Sequence, residues 1–110
     1  MNDIERISHM IESIQKIQDI VGDASKNDFM NSRTKQDAVL YNFAILGEAA
    51  GRLSPALRQN NSDIPWGNMI GMRNVLIHDY VKTDFNFVWN TIINDIVPLR
   101  QKLLKIQASL

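Results

Sequence analysis

Apolar residues recur at helical intervals along the N-terminal segment. A stripe with steps of three or four residues runs through Ile4, Ile7, Ile11, Ile14, Gln18 and Val21, with Met10 and Ile17 at its edge. At roughly 100° per residue, these positions share one side of an amphipathic helix. His9 falls on the other side, so we expect it to be exposed and give it no catalytic role. Gly22 is expected to end the helix, because glycine suits the position just past a helical terminus.

Residues that cap or break helices divide the rest of the chain. Pro98 must kink or divide the C-terminal segment, because proline removes a backbone donor and clashes with the preceding turn. Cap, proline and loop signals predict the other boundaries. A polar connector over 24–30 leads to a helix that Ser32 or Thr34 caps and that ends near Leu53, and Ser54-Pro55 then opens a short helical turn. After a loop over 59–63, Pro65 opens the next helix, and the last segment starts at Thr83.

Two glycines lie one turn apart inside the second predicted helix, at Gly47 and Gly51. Each costs a helix about 1 kcal/mol relative to alanine. We therefore expect another backbone to pass close by, either within the bundle or from a second subunit. Between them, Glu48 lies one turn before Arg52, which fits an exposed helical ion pair or a residue that lines a site, and both interpretations stay open.

No segment shows the alternation of apolar and polar residues that indicates a strand. We therefore expect an all-α fold, an antiparallel bundle of four to five helices. At 110 residues the chain is long enough for one hydrophobic core and too short for two. Residues 1–110 are thus expected to form a single helical domain.

Composition excludes several classes of protein. The chain has no cysteine, which removes disulfides, thiolate nucleophiles and most structural zinc sites and fits a reducing compartment. No apolar run approaches the roughly 20 residues of a membrane span, and the N-terminus lacks the pattern of a signal peptide. We expect a cytoplasmic protein that makes no membrane contact.

Charge is balanced overall but unevenly distributed. Twelve basic residues cancel twelve acidic ones, whereas a protein that grips long nucleic acid by charge alone is usually much more basic. Residues 1–23 carry five acidic and two basic side chains, and residues 96–110 carry three basic side chains and no acidic one. Nucleic acid, if it binds, must use a local patch. The simpler interpretation is that both segments are solvated helix faces.

The stretch from Met72 to Tyr80 places Arg73, Asn74 and His78 in an otherwise apolar helical pattern. Asn74 and His78 lie one turn apart, so a contact between them is natural. Around the helix axis, Arg73 lies roughly 140° from His78. The two side chains can meet only if the long arginine side chain reaches across, or if each comes from a different subunit of a two-fold dimer. Tyr80 falls beneath Arg73 if the helix lasts that far. Alternatively, Arg73 makes a helix-crossing ion pair and the helix dipole favours His78.

The order Arg73, four residues, His78, one residue, Tyr80 resembles the signature of the HEPN superfamily of small helical ribonucleases. The flanking segments narrow the resemblance to the HepT-like branch: Leu46-Gly47-Glu48-Ala49-Ala50, Ile64-Pro65-Trp66, Ile70-Gly71-Met72 and Val88-Trp89. The resemblance runs from about Ala38 to Leu104 and implies a HEPN-like bundle that forms a two-fold dimer.

For the site, the resemblance implies an endoribonuclease that needs no metal or cofactor and makes the 2′-hydroxyl of RNA attack the adjacent phosphate. His78 would shuttle the proton, since imidazole suits acid–base work near neutral pH. Arg73 would hold the phosphate and stabilise its charge. Asn74 would orient His78 or donate to the phosphate, and Glu48 is a candidate for lining the site.

The resemblance also implies a partner. The proteins in question are toxins paired with a minimal nucleotidyltransferase antitoxin that adds AMP to the motif tyrosine. Tyr80 would then be the AMP acceptor, and the added phosphates beside Arg73 would repel RNA. Two alternatives stay open: Tyr80 is a hydroxyl packed at the bundle edge, or the chain is a non-catalytic helical dimer that docks the nucleotidyltransferase.

Overall fold

The computed structural model describes residues 2–110, and every regular element in that range is helical. In chain order the helices are α1 (Asp3–Val21), α2 (Lys26–Met30), α3 (Arg33–Arg52), α4 (Pro55–Asn60), α5 (Trp66–His78), a 3₁₀ turn (Tyr80–Lys82), α6 (Phe85–Asn94) and α7 (Ile96–Ser109). The predicted all-α bundle is confirmed. Five helices have ten or more residues, as expected. The short helix α4 is the helical turn that Ser54-Pro55 predicted, and α2 is an additional short helix.

The buried face of α1 differs from the predicted stripe. Met10 and Ile17, expected at its edge, are fully buried, whereas Ile4 is 51% exposed. The reason is that α1 packs against both α3 and α7, so its buried face is centred between its two neighbours. His9 is exposed, as predicted. Gly22 ends the helix with φ of 53°, a left-handed conformation that favours glycine.

The predicted connector over 24–30 is wrong in part, because α2 forms within it. Its start is a capping box: the Ser25 hydroxyl accepts from the Asp28 backbone N–H, and the Asp28 carboxylate accepts from the Ser25 N–H, each at 3.1 Å. Phe29 is fully buried, with its ring centroid 5.4 Å from that of Trp89. A five-residue helix is too short to show periodicity, so only the cap could have indicated it.

Helix α3 lies between α1 and α5 and is the centre of the bundle. A Cβ added at Gly47 would lie 2.5 Å from the carbonyl oxygen of Met69 on α5, whereas one at Gly51 would meet only the Ile70 side chain at 3.7 Å. The predicted close approach is therefore confirmed at Gly47, and the backbone that approaches belongs to the same bundle.

The C-terminal segment divides at Asp95, three residues before Pro98, so that proline lies in the first turn of α7. This position suits proline, because the first turn needs no backbone donor. Ile93 in α6 is 57% exposed, although the helical spacing of apolar residues from Phe85 to Ile96 predicts it on the same stripe as the buried Val88, Trp89 and Ile92. None of the helices formed by residues 2–110 combines the length and apolar character that crossing a bilayer requires.

Candidate functional site

Arg73 is fastened to the bundle by Glu48. Its Nε lies 3.0 Å from Glu48 Oε2 across the contact between α5 and α3, an ion pair without a directed hydrogen bond. One terminal nitrogen of Arg73 donates to Asn74 Oδ1 at 3.1 Å. The Cβ of Arg73 lies directly over Gly47. The guanidinium is thus held in place, and its remaining N–H groups are available to an anion.

Glu48 joins two guanidinium groups. Its Oε1 accepts from Arg52 Nε at 2.7 Å while its Oε2 faces Arg73. The hydrogen bond from Arg52, with the positive charges of Arg73 and Arg52, holds the pKa of the Glu48 carboxyl below its usual range. Glu48 is therefore ionised at neutral pH. The sequence left open whether Glu48 makes a helical ion pair or lines a site. In the structure Glu48 pairs with Arg52 one turn along α3 and also lines a groove.

The groove beside Arg73 has a volume of about 570 Å³ and is bounded by α1, α3 and α5. Its polar lining comprises Arg6, His9, Glu48, Arg52 and Arg73. His9 was given no role from the sequence, yet it is the histidine that shares this groove with Arg73. Sequence spacing could not reveal this, because His9 and Arg73 meet only through the packing of three helices.

His78 is the last residue of α5 and its side chain is exposed. Because α5 is an unbroken helix from Trp66 to His78, the separation of roughly 140° between Arg73 and His78 is retained, and His78 is not among the residues that line the Arg73 groove. Asn74 is also exposed, and its carbonyl oxygen is bonded to Arg73. Within residues 2–110 no hydrogen bond joins it to His78. One protomer thus presents Arg73 and His78 on different surfaces.

Tyr80 does not lie beneath Arg73, because α5 ends before it. Asp79 leaves the helical region with φ of −150° and ψ of 47°, and Tyr80 begins the 3₁₀ turn. The Tyr80 hydroxyl donates to Asp37 Oδ1 and accepts from an Arg33 terminal nitrogen on α3. The Arg33 guanidinium carbon also lies 5.1 Å from the centroid of the tyrosine ring. Tyr80 is therefore hydrogen-bonded to two charged side chains, which the sequence did not indicate.

The hydrogen bond to the Asp37 carboxylate raises the pKa of Tyr80 above its usual value, with partial burial adding to the effect. The phenol is consequently neutral at physiological pH, with its proton facing a carboxylate. Tyr80 lines a second groove of about 450 Å³. The two grooves share Ala44 and Ile77 as a common wall.

The described residues contain no group of three or more His, Cys, Asp or Glu side chains placed to hold a metal ion. Guanidinium, imidazole and phenol groups line the two grooves, beside the Glu48 and Asp37 carboxylates. The first three kinds of group bind anions and transfer protons.

An all-helical domain with anion-binding and proton-transferring groups around the end of one surface helix fits the class of small helical ribonucleases, and comparison with known proteins agrees. The family model described as "Ribonuclease HepT-like" matches residues 10–106. The chain belongs to the ribonuclease HepT-like family, as its motif predicted, and the expected enzyme class, a ribonuclease, is confirmed by this membership and by the names of relatives.

Three relatives illustrate the similarity. A Methanocaldococcus jannaschii protein, named as a gamma-glutamylcyclotransferase and provisional RNase, is 35% identical over 94% of this chain and 47% of its own length. A second protein of that organism, provisionally named an RNase, is 28% identical over 86% of each chain. A Thermococcus cleftensis protein named probable ribonuclease HepT is 30% identical over 92% of each. The chain thus spans about half of the first relative and most of the other two. No solved structure matches it significantly.

Proposed function

We propose that this chain is the metal-independent endoribonuclease toxin of a toxin–antitoxin pair, acting in the cytoplasm as a two-fold dimer. The observation that supports it most is Arg73, fixed by Glu48 and Asn74 at the edge of an open groove, with an exposed His78 one and a half turns along the same helix. Phosphodiester cleavage requires a fixed fork of donors and an accessible imidazole, and both are present on α5, although one protomer holds them on different surfaces.

In the proposed reaction the RNA 2′-oxygen attacks the adjacent phosphorus, and the bond from phosphorus to the 5′-oxygen breaks. His78 accepts the 2′-hydroxyl proton and returns a proton to the departing 5′-oxygen, which leaves a cyclic phosphate and a 5′-hydroxyl. Arg73 binds the phosphate oxygens as negative charge accumulates on them. Asn74, whose oxygen is already bonded to Arg73, has its amide N–H groups left to donate to the phosphate.

A two-fold dimer would bring together what one protomer keeps apart. Arg73 and His78 leave α5 in directions roughly 140° apart, so His78 of a second copy is needed opposite Arg73 of the first. Apolar side chains on and near α5 remain uncovered in the protomer outside the Arg73 groove: Tyr41, Val75 and Val81. Val81 is 93% exposed. Burial of these side chains against a second copy is the expected source of dimer stability.

We further propose that a nucleotidyltransferase partner silences the toxin by transferring AMP to Tyr80. The Tyr80 oxygen would attack the α-phosphorus of ATP, pyrophosphate would leave, and Asp37 would accept the phenolic proton through the hydrogen bond that it already makes. Arg33 lies beside the hydroxyl and would face the incoming phosphate. Because the Tyr80 and Arg73 grooves share Ala44 and Ile77, an attached nucleotide would add negative charge next to the RNA site.

A non-catalytic docking dimer for the nucleotidyltransferase is the second candidate. The net charge of zero favours it, because RNA-binding proteins usually carry an excess of basic residues. In that case the apolar surface around Val81 serves protein contacts alone. The two candidates differ in whether His78 performs chemistry.

The His78→Ala variant tests the proposal. We expect it to abolish both RNA cleavage by the purified protein and growth arrest on expression, with an unchanged far-ultraviolet circular dichroism spectrum. His9→Ala removes the other imidazole, which takes no part in the proposed proton transfers, and should retain the wild-type cleavage rate at saturating RNA. If the wild-type dimer leaves RNA intact while His78→Ala still arrests growth, the enzyme proposal fails and the docking dimer is favoured.

A further inference from the structure

We propose that Arg6 and Arg52, with His9 beside them, form a binding track for the phosphates of single-stranded RNA, leading the chain of nucleotides to Arg73. The inference rests on the proposed ribonuclease function for the identity of the polyanion. It adds residues from α1 and from the end of α3 to the three proposed catalytic residues, Arg73, Asn74 and His78, which all lie on α5.

The track is made by three helices that converge on one groove. Arg6 crosses from α1 to the last turn of α3, where one terminal nitrogen donates to the Arg52 carbonyl oxygen at 2.8 Å. Arg52 in turn donates its Nε to Glu48, which faces Arg73 on its other side. The three guanidinium groups are therefore connected in a row across α1, α3 and α5, held by one backbone carbonyl and one carboxylate.

Each guanidinium in this row keeps donors that no described residue uses. A guanidinium carries five N–H groups, and Arg6 and Arg52 each commit only one nitrogen to a hydrogen bond. The row thus has unsatisfied donor capacity, and phosphate oxygens are the groups that the arginine fork matches best.

Charge within the groove differs sharply from charge over the whole chain. Three arginines and one glutamate line it, which leaves two positive charges, whereas the complete sequence sums to zero. A cleft lined by charge of one sign concentrates an oppositely charged ligand. This groove is therefore the local patch that nucleic acid would need, and the three basic residues of α7 are not required for it.

The lining also favours a single strand over a duplex. Ala44, Ile45, Ala49 and Ile77 supply an apolar floor between the charged residues. An unpaired base or ribose can contact such a floor while its phosphates meet the arginines, whereas paired bases in a duplex are turned inward. An acidic peptide would supply negative charges but no bases. RNA therefore matches both the arginines and the apolar floor of the groove.

Binding of an uncleavable strand tests the track. We would measure the affinity of a fluorescent 2′-O-methyl oligonucleotide, which lacks the attacking hydroxyl, by anisotropy at several salt concentrations. Arg6→Gln and Arg52→Gln should each weaken binding by about 3-fold to 10-fold and reduce the salt slope by about 0.7 for each lost phosphate contact. Glu48→Gln removes the opposing charge and should strengthen binding, a change of sign that a purely structural role would not produce.

Lys105→Gln, which removes an equal charge from the exposed face of α7, is the control and should bind like the wild type. Arg6→Lys keeps the charge and should retain most of the affinity if the fold is intact. Unchanged binding by both arginine variants, an equal loss in Lys105→Gln, or equally tight binding of poly-glutamate would overturn the track. If the strand binds through the track but native RNA is not cleaved, only the proposed ribonuclease activity is refuted.

Discussion

The Cβ of Arg73 lies 2.6 Å from the place where a Cβ on Gly47 would stand. Real Cβ atoms do not approach so closely, so α3 and α5 can adopt their observed separation only because residue 47 has no side chain. The depth at which Arg73 enters the groove is therefore set by a glycine on the neighbouring helix. Glu48, the next residue, then forms the ion pair with Arg73.

We expect Gly47→Ala to push α5 outward, to lower the free energy of unfolding by about 1–3 kcal/mol through overpacking, and to weaken RNA cleavage by displacing Arg73. Gly51→Ala is the matched control, since its Cβ would meet Ile70 at an ordinary 3.7 Å and alanine favours a helix by up to about 1 kcal/mol. Urea denaturation of both variants distinguishes the two sites. Equal stabilities would show that the close approach carries no constraint.

Mixing two inactive variants tests whether the site spans two protomers. Arg73→Ala and His78→Ala should each be inactive alone. In a two-fold dimer that pairs Arg73 of one copy with His78 of the other, every heterodimer contains one intact site out of two. Half of the dimers in an equal mixture are heterodimers, so about a quarter of the wild-type activity should return. The measurement is cleavage of labelled RNA after the variants are co-refolded. No recovery, in a mixture shown to contain heterodimers, would place the site within one protomer.

Co-expression with a minimal nucleotidyltransferase tests the role of Tyr80. Intact-mass spectrometry should show an added AMP on the wild type and none on Tyr80→Phe. Asp37→Asn should slow the modification by about 10²-fold, because the carboxylate that receives the phenolic proton is lost. Asp63→Asn, on the loop before α5, is the control and should be modified normally. An unmodified wild-type chain would remove the hypothesis, and rapid modification of Asp37→Asn would remove Asp37 from it.

Acid stability should depend on Asp3. Its carboxylate accepts from the Ser54 hydroxyl at 2.6 Å and from the Ser54 backbone N–H at 3.0 Å, and these bonds lower the pKa of Asp3 below 3.8. A lowered pKa in the folded state stabilises the fold above the unfolded value near 3.8, and this contribution is lost as pH falls through the lower folded pKa.

We therefore expect Asp3→Asn to lower the free energy of unfolding at pH 7 by less than about 1 kcal/mol, since the pair is partly solvated. The difference between this variant and the wild type should shrink as the pH falls below about 4. Denaturant titrations at several pH values measure both effects. Asp23→Asn, at an exposed position after α1, should behave like the wild type, and a constant difference at all pH values would contradict the assignment.

Local signals predicted the helices well, because caps and prolines act over a few residues. Ser32 caps α3 and Ser54 caps α4 as the sequence indicated. Contacts between distant residues could not be predicted in this way. The bond from Arg6 to Arg52 spans 46 positions and that from Tyr80 to Asp37 spans 43. Both depend on how α1, α3 and the end of α5 pack, which no local pattern encodes.

The expected roles of Arg73, Asn74 and His78 came from the resemblance of their order along the chain to the HEPN signature, and these roles stay predictions. The position of Tyr80 beneath Arg73 was predicted only for a helix that continued past His78, and nothing near Asp79 in the sequence shows that the helix ends there. His9 was correctly predicted as exposed. Its place beside Arg73 was missed because exposure was taken to mean distance from the site.

The divergence of Arg73 and His78 around α5 has a consequence for dosage. In the proposed dimer, each active site takes Arg73 from one copy and His78 from the other. While most copies are dissociated, the RNA-cleaving activity would therefore rise with the square of the chain concentration. At low concentrations of unmodified chain, the proposed toxin would cleave little RNA. Cleavage would increase steeply once more chain is made than the proposed nucleotidyltransferase partner can modify. The geometry of α5 would then set a threshold in chain concentration for RNA cleavage.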